Sequence, residues 1–472
     1  MMLFLSFFLW TVLYLFLVVC ILRDNADPDM KLIWILLIGL LPPVGIILYL
    51  LMGINYRRKG KPVYELDPDL AARVFPEAGD EILEPAYRPL AKLIRGCGEG
   101  NRLLPGNDFE IITSGLRKRE LLLADLRNAK RFIHIEYFRF GNDEAGREVR
   151  DLLLEKAKEG VEVRLVHNNM IGRNIPASYW DEMEKGGIQI VHWTHIRLGF
   201  GKWLMRINHQ NHRKIVVIDG QVAYTGGMNL NDNYFYRWRD THIRVTGPAV
   251  SRLNALFVES WYACNARFNR PLDYYFCTEA IPNPEAPLKG KTLQIMGDSA
   301  DYPWPTTLLA YEWILASARD YVYLQTPYFI PPTSLMQALQ SAALRGVDVR
   351  LMLPLDVDTK YVGPGNKSCY KECLEAGIRI YQRGGSFIHS KTLVCDDALS
   401  IIGASNLDQR SFFINREVNT LVYDRETALA NKEIFLNELE LTQEVLLPEW
   451  LQQQSFFKRL GQDIMRVLYR GL

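Results

Sequence analysis

The chain has 472 residues and a formal net charge of +1, and 48% of its residues are hydrophobic. That length accommodates two ordinary domains or one large duplicated unit. The near-neutral charge argues against a dedicated nucleic-acid-binding protein, because such proteins carry a basic excess that neutralises phosphates. Seven cysteines without a C-x-x-C pair predict neither a disulfide framework nor a zinc site.

The N-terminal residues 1–61 predict a membrane anchor made of two apolar segments. Residues 2–22 carry no charge and match the length of about 20 residues that crosses the hydrocarbon layer. Residues 32–53 are also apolar, but Pro42-Pro43 interrupts them, so a kinked span and a re-entrant hairpin both fit. The basic cluster at 57–61 is expected on the cytoplasmic side, which places the rest of the chain there too.

The rest of the chain is predicted to contain two copies of one unit. The first copy is expected at 62–270 and the second at 291–454, with a Pro-rich linker at 271–290 and a tail at 455–472. Each copy has a helix leading into a strand, then a helix, a glycine and a buried strand. This alternation predicts an α/β fold in which two mixed β-sheet halves, flanked by helices, meet at a pseudo-twofold axis.

One motif occurs once in each copy. In HQNHRKIVVIDGQVAYTGGMNLND, at residues 209–232, a histidine and a lysine stand two apart, so an extended strand points both side chains to one face. An aspartate follows at the turn, and a Gly-rich turn with an asparagine comes next. FIHSKTLVCDDALSIIGASNLDQ, at residues 387–409, repeats this pattern. The motif residues are His212, Lys214, Asp219, Gly227 and Asn229 in the first copy, and His389, Lys391, Asp396, Ser405 and Asn406 in the second.

Two such motifs predict phosphoryl transfer through a covalent intermediate. A neutral histidine attacks phosphorus and a protonated one protonates a leaving alkoxide, and one histidine cannot do both in the same step. The lysines, the asparagines and the Gly-rich turns, with Gly227 and Ser405, are expected to bind the phosphoryl oxygens. The sequence has no carboxylate cluster for Mg²⁺, so we predict no metal and no other cofactor.

Four acidic residues accompany the histidines. Each histidine needs an acceptor on its other ring nitrogen, and Asp240 and Glu417 follow the two histidines at matching offsets, which makes them candidates for that role. Asp219 and Asp396 stand where the motif strands turn, and we interpret them as mainly structural, bonding backbone at the turn.

Weaker signals have competing interpretations. His209 and His212 form H-x-x-H, but the predicted strand and the lack of a further ligand argue against zinc. His167 ends a strand and is either structural or part of the site. Tyr137 and Tyr328 occupy matching places in the two copies, where core packing is predicted and pocket lining is the alternative. Three polar residues after the second motif are candidates for positioning a head group: Arg410, Ser411 and Asn415.

Two amphipathic stretches each have two interpretations. Residues 197–207 (RLGFGKWLMRI) mix aromatic and basic side chains just before the first motif, which fits an interfacial loop or a packed hairpin. The tail at 455–472 places apolar residues on one side and basic residues elsewhere. It fits either a helix on anionic lipid or a terminal helix docked on the body.

The paired H-x-K-x4-D motifs resemble the phospholipase D superfamily over residues 105–450. LPPVGIILYLLMG (41–53), the NHRKIVVIDG and TGGMN stretches and QTPYFIP (325–331) resemble the bacterial cardiolipin synthases more closely. This resemblance implies a duplicated phospholipase D-like fold and assigns catalytic roles to the motif His, Lys and Asp residues. It also implies a multi-pass protein of the bacterial cytoplasmic membrane with its catalytic body on the cytoplasmic side.

The implied reaction transfers a phosphatidyl group between two phosphatidylglycerol molecules, giving cardiolipin and glycerol. His212 is the expected nucleophile and His389 the expected acid, from the usual order in related enzymes. A hydrolytic phospholipase D or a transferase with another alcohol acceptor is the alternative, and a non-catalytic lipid-binding scaffold is a third reading. The expected partners are phosphatidylglycerol and anionic membrane lipid, without nucleic acid, and a homo-oligomer is compatible with the sequence.

Overall fold

The computed structural model describes residues 2–24, 28–53, 66–75, 78–98, 100–168, 175–193, 208–276, 290–359 and 362–471. The chain begins with α1 (Met2–Leu22), α2 (Pro28–Leu40) and α3 (Pro42–Leu48), followed by a π-helical turn at Tyr49–Gly53. Leu41 separates α2 from α3 with φ −129° and ψ 67°. Proline disfavours the helical conformation of the residue before it, so the helix is interrupted at Leu41.

Among the residues that the structure describes, no helix is long and apolar enough to cross a membrane. The two spans predicted at 2–22 and 32–53 are therefore not confirmed. The basic cluster at 57–61 and the amphipathic stretch at 197–207 lie outside the described residues.

The remaining helices follow in two groups. Helices α4 to α9 are Pro68–Val74, Arg88–Gly96, Gly115–Asn128, Glu144–Lys158, Ala177–Lys185 and Pro248–Ala263. Helices α10 to α17 are Thr306–Ser317, Thr333–Leu344, Val362–Ser368, Tyr370–Glu375, Gln409–Phe413, Arg425–Leu439, Leu447–Gln452 and Phe456–Gly471. Short 3-10 turns occupy Asp80–Ile82 and Leu272–Tyr275, and a π-helical turn occupies Asn233–Arg237.

The strands also divide between the two copies. Strands β1 to β7 are Leu104–Ile112, Phe132–Tyr137, Glu162–His167, Gln189–His192, Lys214–Ile218, Val222–Gly226 and His242–Thr246. Strands β8 to β17 are Lys291–Asp298, Tyr321–Gln325, Phe329–Ile330, Asp348–Pro354, Arg379–Arg383, Thr392–Cys395, Leu399–Gly403, Leu407–Asp408, Glu417–Tyr423 and Thr442–Val445.

Fifteen of these strands form one sheet in the order β17-β12-β11-β9-β13-β14-β16-β8-β1-β7-β6-β5-β2-β3-β4. Strands β1 and β8 pair antiparallel in the middle of this sheet. On either side of this pair, the strands of the second copy and those of the first copy follow in the same relative order. Each copy mixes parallel and antiparallel pairs, such as β2 with β3 and β2 with β5. The predicted α/β class with mixed strands is confirmed, but the two halves are joined in one hydrogen-bonded sheet.

Side-chain caps and glycines determine where the helices next to the strands begin and end. Asp143 begins α7 by accepting a hydrogen bond from the Gly146 N–H, 3.0 Å away. Gly160 and Gly346 follow α7 and α11 with φ of +90° and +93°. Only glycine adopts this left-handed conformation without strain, so both act as the C-terminal stops that the sequence predicts.

The packing moves the predicted boundaries between the copies. Leu90 and Ile94 of α5 belong to the hydrophobic cluster of the second copy, with Ile314 and Leu315 of α10. The segment before β1 thus packs across the boundary, although the prediction gave it to the first copy. Tyr275, inside the predicted linker, is fully buried in the central cluster of β5, β7 and α9. Residues 277–289 lie outside the described residues.

The C-terminal tail is docked on the body. Helix α17 packs against α12, and Arg466 forms an ion pair of 2.6 Å with Glu372. The other face of α17 leaves large apolar side chains exposed, including Phe456 and Phe457 at 73% and 81%. The tail therefore combines the two interpretations: it is a docked helix that keeps an apolar face in the open.

Candidate active site

The two motif histidines precede β5 and β13 and line one cleft of about 250 Å³. The backbone N–H of His212 donates to the Arg416 carbonyl oxygen over 2.9 Å, and that of His389 donates to the Arg239 carbonyl oxygen over 2.7 Å. Arg416 belongs to the second copy and Arg239 to the first. Each histidine is thus held in place by the backbone of the opposite copy.

The orienting acids are exchanged between the copies as well. Nδ1 of His212 lies 2.9 Å from both carboxylate oxygens of Glu417. Nδ1 of His389 lies 2.7 Å from Oδ2 of Asp240. The matching sequence offsets name the two acids but do not say which histidine each one serves, and the structure gives each histidine the acid of the opposite copy. The exchange follows from the backbone contacts, because Asp240 and Glu417 directly follow the arginines whose carbonyls hold the opposite histidines.

Burial makes both imidazoles neutral in the free cleft. Burial and the charges of Lys214 and Lys391 lower the pKa of His212 far below its usual range. Burial and the charge of Lys391 lower the pKa of His389 to about 3. A neutral imidazole is the nucleophilic form, and an anionic ligand between the two rings would raise both pKa values again.

The two acids differ in charge. Burial raises the pKa of Glu417 to about 8, so this acid is mostly protonated at neutral pH. Burial also acts to raise the pKa of Asp240, but the charges of Lys391 and His389 outweigh it and hold that pKa below its usual value. His389 therefore faces a carboxylate, whereas His212 faces a mostly neutral acid.

The motif lysines lie directly against the histidines. Nζ of Lys214 donates to the His212 carbonyl oxygen over 2.7 Å and lies 5.4 Å from the centre of the Phe138 ring. Nζ of Lys391 donates to the His389 carbonyl oxygen and lies 2.7 Å from Nδ1 of the same residue. Burial lowers the pKa of both lysines, that of Lys391 to about 8.

The motif aspartates tie each motif strand to its neighbour. The Asp219 carboxylate accepts hydrogen bonds from the N–H groups of residues 130, 131 and 132, which lead into β2. The Asp396 carboxylate accepts hydrogen bonds from the N–H groups of residues 319, 320 and 321, which lead into β9. Both aspartates thus bond backbone, as expected, but the backbone is that of the adjacent strand rather than of their own turn.

The four residues predicted to bind phosphate are placed differently from one another. Asn406 lines the cleft, and its buried Oδ1 has no hydrogen-bond partner among the described residues. Oδ1 of Asn229 instead accepts a hydrogen bond from the Arg139 N–H over 3.1 Å. Asn229 therefore fixes the segment after β2. Its backbone carbonyl oxygen accepts a hydrogen bond from Nζ of the buried Lys118.

The backbone N–H groups of Gly227 and Ser405 are both bonded within the protein. The Gly227 N–H donates to the Thr241 carbonyl oxygen over 2.9 Å. A Cβ at Gly227 would lie 2.1 Å from Oδ1 of Asp240, so this glycine makes room for the orienting acid. Ser405 is bonded through its N–H and its hydroxyl to Asn419. Phosphate binding by these two residues stays a prediction.

The weaker candidates also separate. Tyr137 is buried in β2, whereas Tyr328 lines the cleft and donates to Oδ1 of Asp358 over 2.6 Å. His167 is buried and stacks on Trp180 with ring centres 4.3 Å apart, away from the cleft. The parallel bridges Phe140 to Leu230 and Phe329 to Leu407 make residue 139, not 137, the counterpart of Tyr328.

The polar residues after the second motif lie beside the site. Arg410 lines the cleft, with its guanidinium bonded to the side chain and carbonyl of Asn208 at 3.0 and 2.8 Å. Asn415 lines the cleft too, and Ser411 and Asn415 contact the Glu417 carboxyl, where their hydrogen bonds act to lower its pKa against the effect of burial. Ser411 therefore helps to orient the acid.

Sequence reasoning singles out none of the following cleft residues: Phe138, Arg139, Gln210, Tyr234, Trp238, Asp358 and Asp408. The repeat could have indicated that Phe138 and Arg139 lie at the site. They follow β2 at the place where Pro327 and Tyr328 follow β9, and each of these strands pairs with a motif strand. Residues at that strand end must come close to the motif histidines.

The fold and the paired His/Lys site define a phospholipase D-like protein. The family described as "Cardiolipin synthase, PLD-like domain" matches residues 122–261 and 313–439, and "Phospholipase D-nuclease N-terminal" matches residues 12–53. The major cardiolipin synthase ClsA of Bacillus subtilis (strain 168) is 33% identical to the chain, over 96% of the chain and 95% of that protein. The chain belongs to the cardiolipin synthase family.

A second cardiolipin synthase agrees with this membership, and one solved structure agrees with the fold. The cardiolipin synthase of Geobacillus kaustophilus (strain HTA426) is 32% identical, over 96% of the chain and 91% of that protein. Among solved structures, the phosphatidylserine synthase of Haemophilus influenzae Rd KW20 is similar with a TM-score of 0.60. That structure is 15% identical and covers 81% of the chain and all (100%) of its own length, so it supports the fold alone.

Proposed function

We propose that the protein transfers a phosphatidyl group from one phosphatidylglycerol to another, forming cardiolipin and releasing glycerol. The observation that carries the proposal is the pair of neutral, buried histidines in one cleft, each with its own acid on Nδ1. Such a pair supplies a nucleophile and a separate acid–base for one phosphorus centre. Membership of the cardiolipin synthase family supports the choice of substrates.

In the first step, Nε2 of His212 attacks the phosphorus of the donor lipid. The new N–P bond forms as the bond from phosphorus to the glycerol head-group oxygen breaks. His389, which takes up a proton from solvent when the anionic lipid binds, gives that proton to the departing oxygen. Glu417 occupies Nδ1 of His212, which leaves Nε2 as the attacking atom. The anionic phosphate raises the pKa of His389, and the Asp240 carboxylate stabilises the imidazolium.

In the second step, the free head-group hydroxyl of the acceptor lipid attacks the phosphatidyl-histidine. His389, now neutral, takes the proton from that hydroxyl as the N–P bond breaks and His212 is released. Lys214 and Lys391 neutralise the charge that develops on the phosphoryl oxygens in both steps. The cycle ends with both histidines in their starting states.

The assignment of His212 as nucleophile is a hypothesis that rests on the usual order in related enzymes. The difference between the two acids supports it. Asp240 is ionised, and a carboxylate on Nδ1 is the partner that stabilises a protonated histidine. Glu417 is mostly neutral and does less to stabilise a protonated His212, so His212 stays in the neutral form that attacks phosphorus.

We place the protein at the bacterial cytoplasmic membrane, held there by its N-terminal helices and with its body on the cytoplasmic side. Helix α1 has no charged residue, and its side chains at Leu9 and Phe16 are 59% and 63% exposed. These two residues lie two turns apart on one face of the helix, and apolar side chains exposed to this degree mark a lipid- or protein-binding surface. Resistance of the full chain to alkaline extraction from membranes would support this placement, and its release into the soluble fraction would contradict it.

The test of the function supplies the full-length protein with phosphatidylglycerol alone in mixed micelles. We expect equal amounts of cardiolipin and glycerol, measured by mass spectrometry and an enzymatic glycerol assay. Phosphatidic acid as the only lipid product would identify a hydrolase and overturn the proposal. Product formation only after addition of another alcohol, such as serine or ethanolamine, would show that the acceptor is different.

A further inference from the structure

The proposed reaction makes different demands on its two lipids. The donor phosphate lies between the histidines and is converted, whereas the acceptor lipid brings a second phosphodiester that does not react. An enzyme that prefers this acceptor to water or glycerol needs a cation for that second phosphate. The histidine–lysine pairs are occupied by the reacting phosphate, so the cation must come from elsewhere in the cleft.

Arg139 is the cleft cation that suits this task. It directly follows Phe138, whose ring centre lies 4.7 Å from that of His212, and its charge acts on the titration of His212 and of Tyr328 across the cleft. Its side chain is partly exposed. Within the described part of the chain, its guanidinium has neither an acid within ion-pair distance nor a hydrogen-bond acceptor.

The other cations of the cleft are already committed. Lys214 and Lys391 donate to the carbonyls of the motif histidines. Arg410 lines the cleft but donates two hydrogen bonds to Asn208. Only Arg139 combines a position in the cleft with a guanidinium that no described residue occupies. A guanidinium binds a phosphodiester through two parallel hydrogen bonds, which is the strongest single contact available to it.

Arg139 also breaks the symmetry of the site. Its counterpart in the second copy is Tyr328, whose hydroxyl is bonded to Asp358. One side of the cleft therefore presents a cation and the other a tyrosine with an acid. Two lipids with the same head group meet two unlike surfaces, although the histidines are related by the repeat.

We infer that Arg139 binds the non-reacting phosphodiester of the acceptor lipid and so determines that the acceptor is an anionic phospholipid. The inference rests on the proposed function. Asn229 positions Arg139 by accepting the hydrogen bond from its backbone N–H, and this leaves the guanidinium free for the ligand. In the first step the donor lipid needs no such contact, so the loss of Arg139 should fall mainly on the second step.

The experiment compares two reactions of the full-length protein in micelles that contain phosphatidylglycerol. Cardiolipin formation needs the charged acceptor. Exchange of labelled glycerol into phosphatidylglycerol needs only the donor half-reaction and its reversal, with uncharged glycerol attacking the same N–P bond. We expect Arg139→Gln to lower cardiolipin formation by about ten- to a hundredfold, as for the loss of a charge-assisted contact, with exchange within about threefold of wild type.

Two matched variants accompany this comparison. Arg139→Lys keeps the charge and should recover part of the cardiolipin rate, with the remaining defect in the KM for phosphatidylglycerol rather than in exchange. Arg147→Gln removes an exposed cation of the same copy that donates only to the Asn142 carbonyl, and it should change neither reaction.

The opposite results are equally clear. If Arg139→Gln lowers both reactions together, Arg139 serves the reacting phosphate and the inference is wrong. It is also wrong if neither reaction changes. A wild-type chain that exchanges glycerol but forms no cardiolipin would overturn the proposed function, and with it the acceptor that Arg139 is inferred to bind.

Discussion

The two copies share a framework that places a histidine in the same way twice. Asp219 and Asp396 each bond three successive backbone N–H groups ahead of the neighbouring strand. The N–H groups of His212 and His389 each donate to a carbonyl of the opposite copy. The geometry of the histidines is therefore common to both copies and cannot by itself distinguish their roles.

The surroundings of the two histidines differ. His389 has four aromatic rings with centres 5.3 to 6.3 Å away, namely Tyr234, Phe387, Trp238 and Tyr328. His212 has only the ring of Phe138 among its described ring contacts. The acids differ too, since one is ionised and the other mostly neutral. Duplication thus supplies the two reactive histidines, and their unlike neighbours distinguish the nucleophile from the acid.

The largest expected effect comes from removing either histidine. His212→Ala and His389→Ala should each lower cardiolipin formation by about a thousandfold or more, because neither copy can supply both a nucleophile and an acid. A phosphatidyl ester of p-nitrophenol separates the two roles, since p-nitrophenolate leaves without a proton. His389→Ala should still release a burst of one equivalent, and His212→Ala should release none. A burst in His212→Ala and none in His389→Ala would show that His389 is the nucleophile and His212 the acid.

Replacing the orienting acids tests the exchange between copies. Asp240→Asn should lower turnover about a hundredfold or more, because it removes the carboxylate that stabilises the His389 imidazolium. It should nevertheless keep the p-nitrophenol burst, because Nδ1 of His212 is hydrogen-bonded to Glu417 and not to Asp240. Loss of the burst in Asp240→Asn would mean that Asp240 serves His212. Glu417→Gln should lower turnover only about tenfold, because Glu417 is already mostly protonated at neutral pH.

The motif aspartates should affect stability equally in the two copies. Asp219→Ala and Asp396→Ala each leave three backbone N–H groups without their acceptor, which is expected to lower the free energy of unfolding by about 3 kcal/mol. Thermal unfolding followed by circular dichroism measures this, and the activity per folded molecule should stay within about fivefold. Asp397→Ala is the matched control, because it shares the positive φ of Asp396 but bonds the side chains of Tyr321 and Lys432 instead of backbone N–H groups, and it should cost about 1 to 2 kcal/mol. A thousandfold loss of activity without loss of stability would show that the motif aspartates are catalytic.

The smallest effect concerns how stability depends on pH. The pKa of Glu417 is raised to about 8 by burial, so the folded chain holds this proton more tightly than the unfolded chain does. Stability from this group is therefore present at acidic pH and is lost as pH rises from the usual carboxyl range towards 8. The glutamine in Glu417→Gln cannot ionise. The unfolding temperature of this variant, relative to that of wild type, should therefore rise between pH 5 and pH 8. A gap that stays constant or closes over this range would contradict the raised pKa.

Much of the fold follows from local patterns. The repeat, the glycine stops at Gly160 and Gly346 and the alternation of helices and strands are properties of short stretches, and the structure agrees with them. The docking of the segments near the copy boundaries does not follow from local patterns. Helix α5 joins the core of the second copy and Tyr275 joins a central cluster that both copies share, because buried surface, not sequence position, decides where such segments dock.

By itself, the sequence determined the family, the α/β duplication and the residues of the two motifs. Residues two apart in extended backbone share a face wherever the segment lies in the fold, so the pairing of His212 with Lys214 needed no tertiary information. Only the tertiary structure decided that the acids are exchanged, that Gly227 and Ser405 serve the frame, and that Arg139 opposes Tyr328 across the cleft. These relations depend on hydrogen bonds between residues about 150 to 200 positions apart, such as His212 with Glu417 (205 positions) and His389 with Asp240 (149 positions). Matching offsets in a repeat cannot reveal them, because within-copy and between-copy pairing produce the same spacing along the chain.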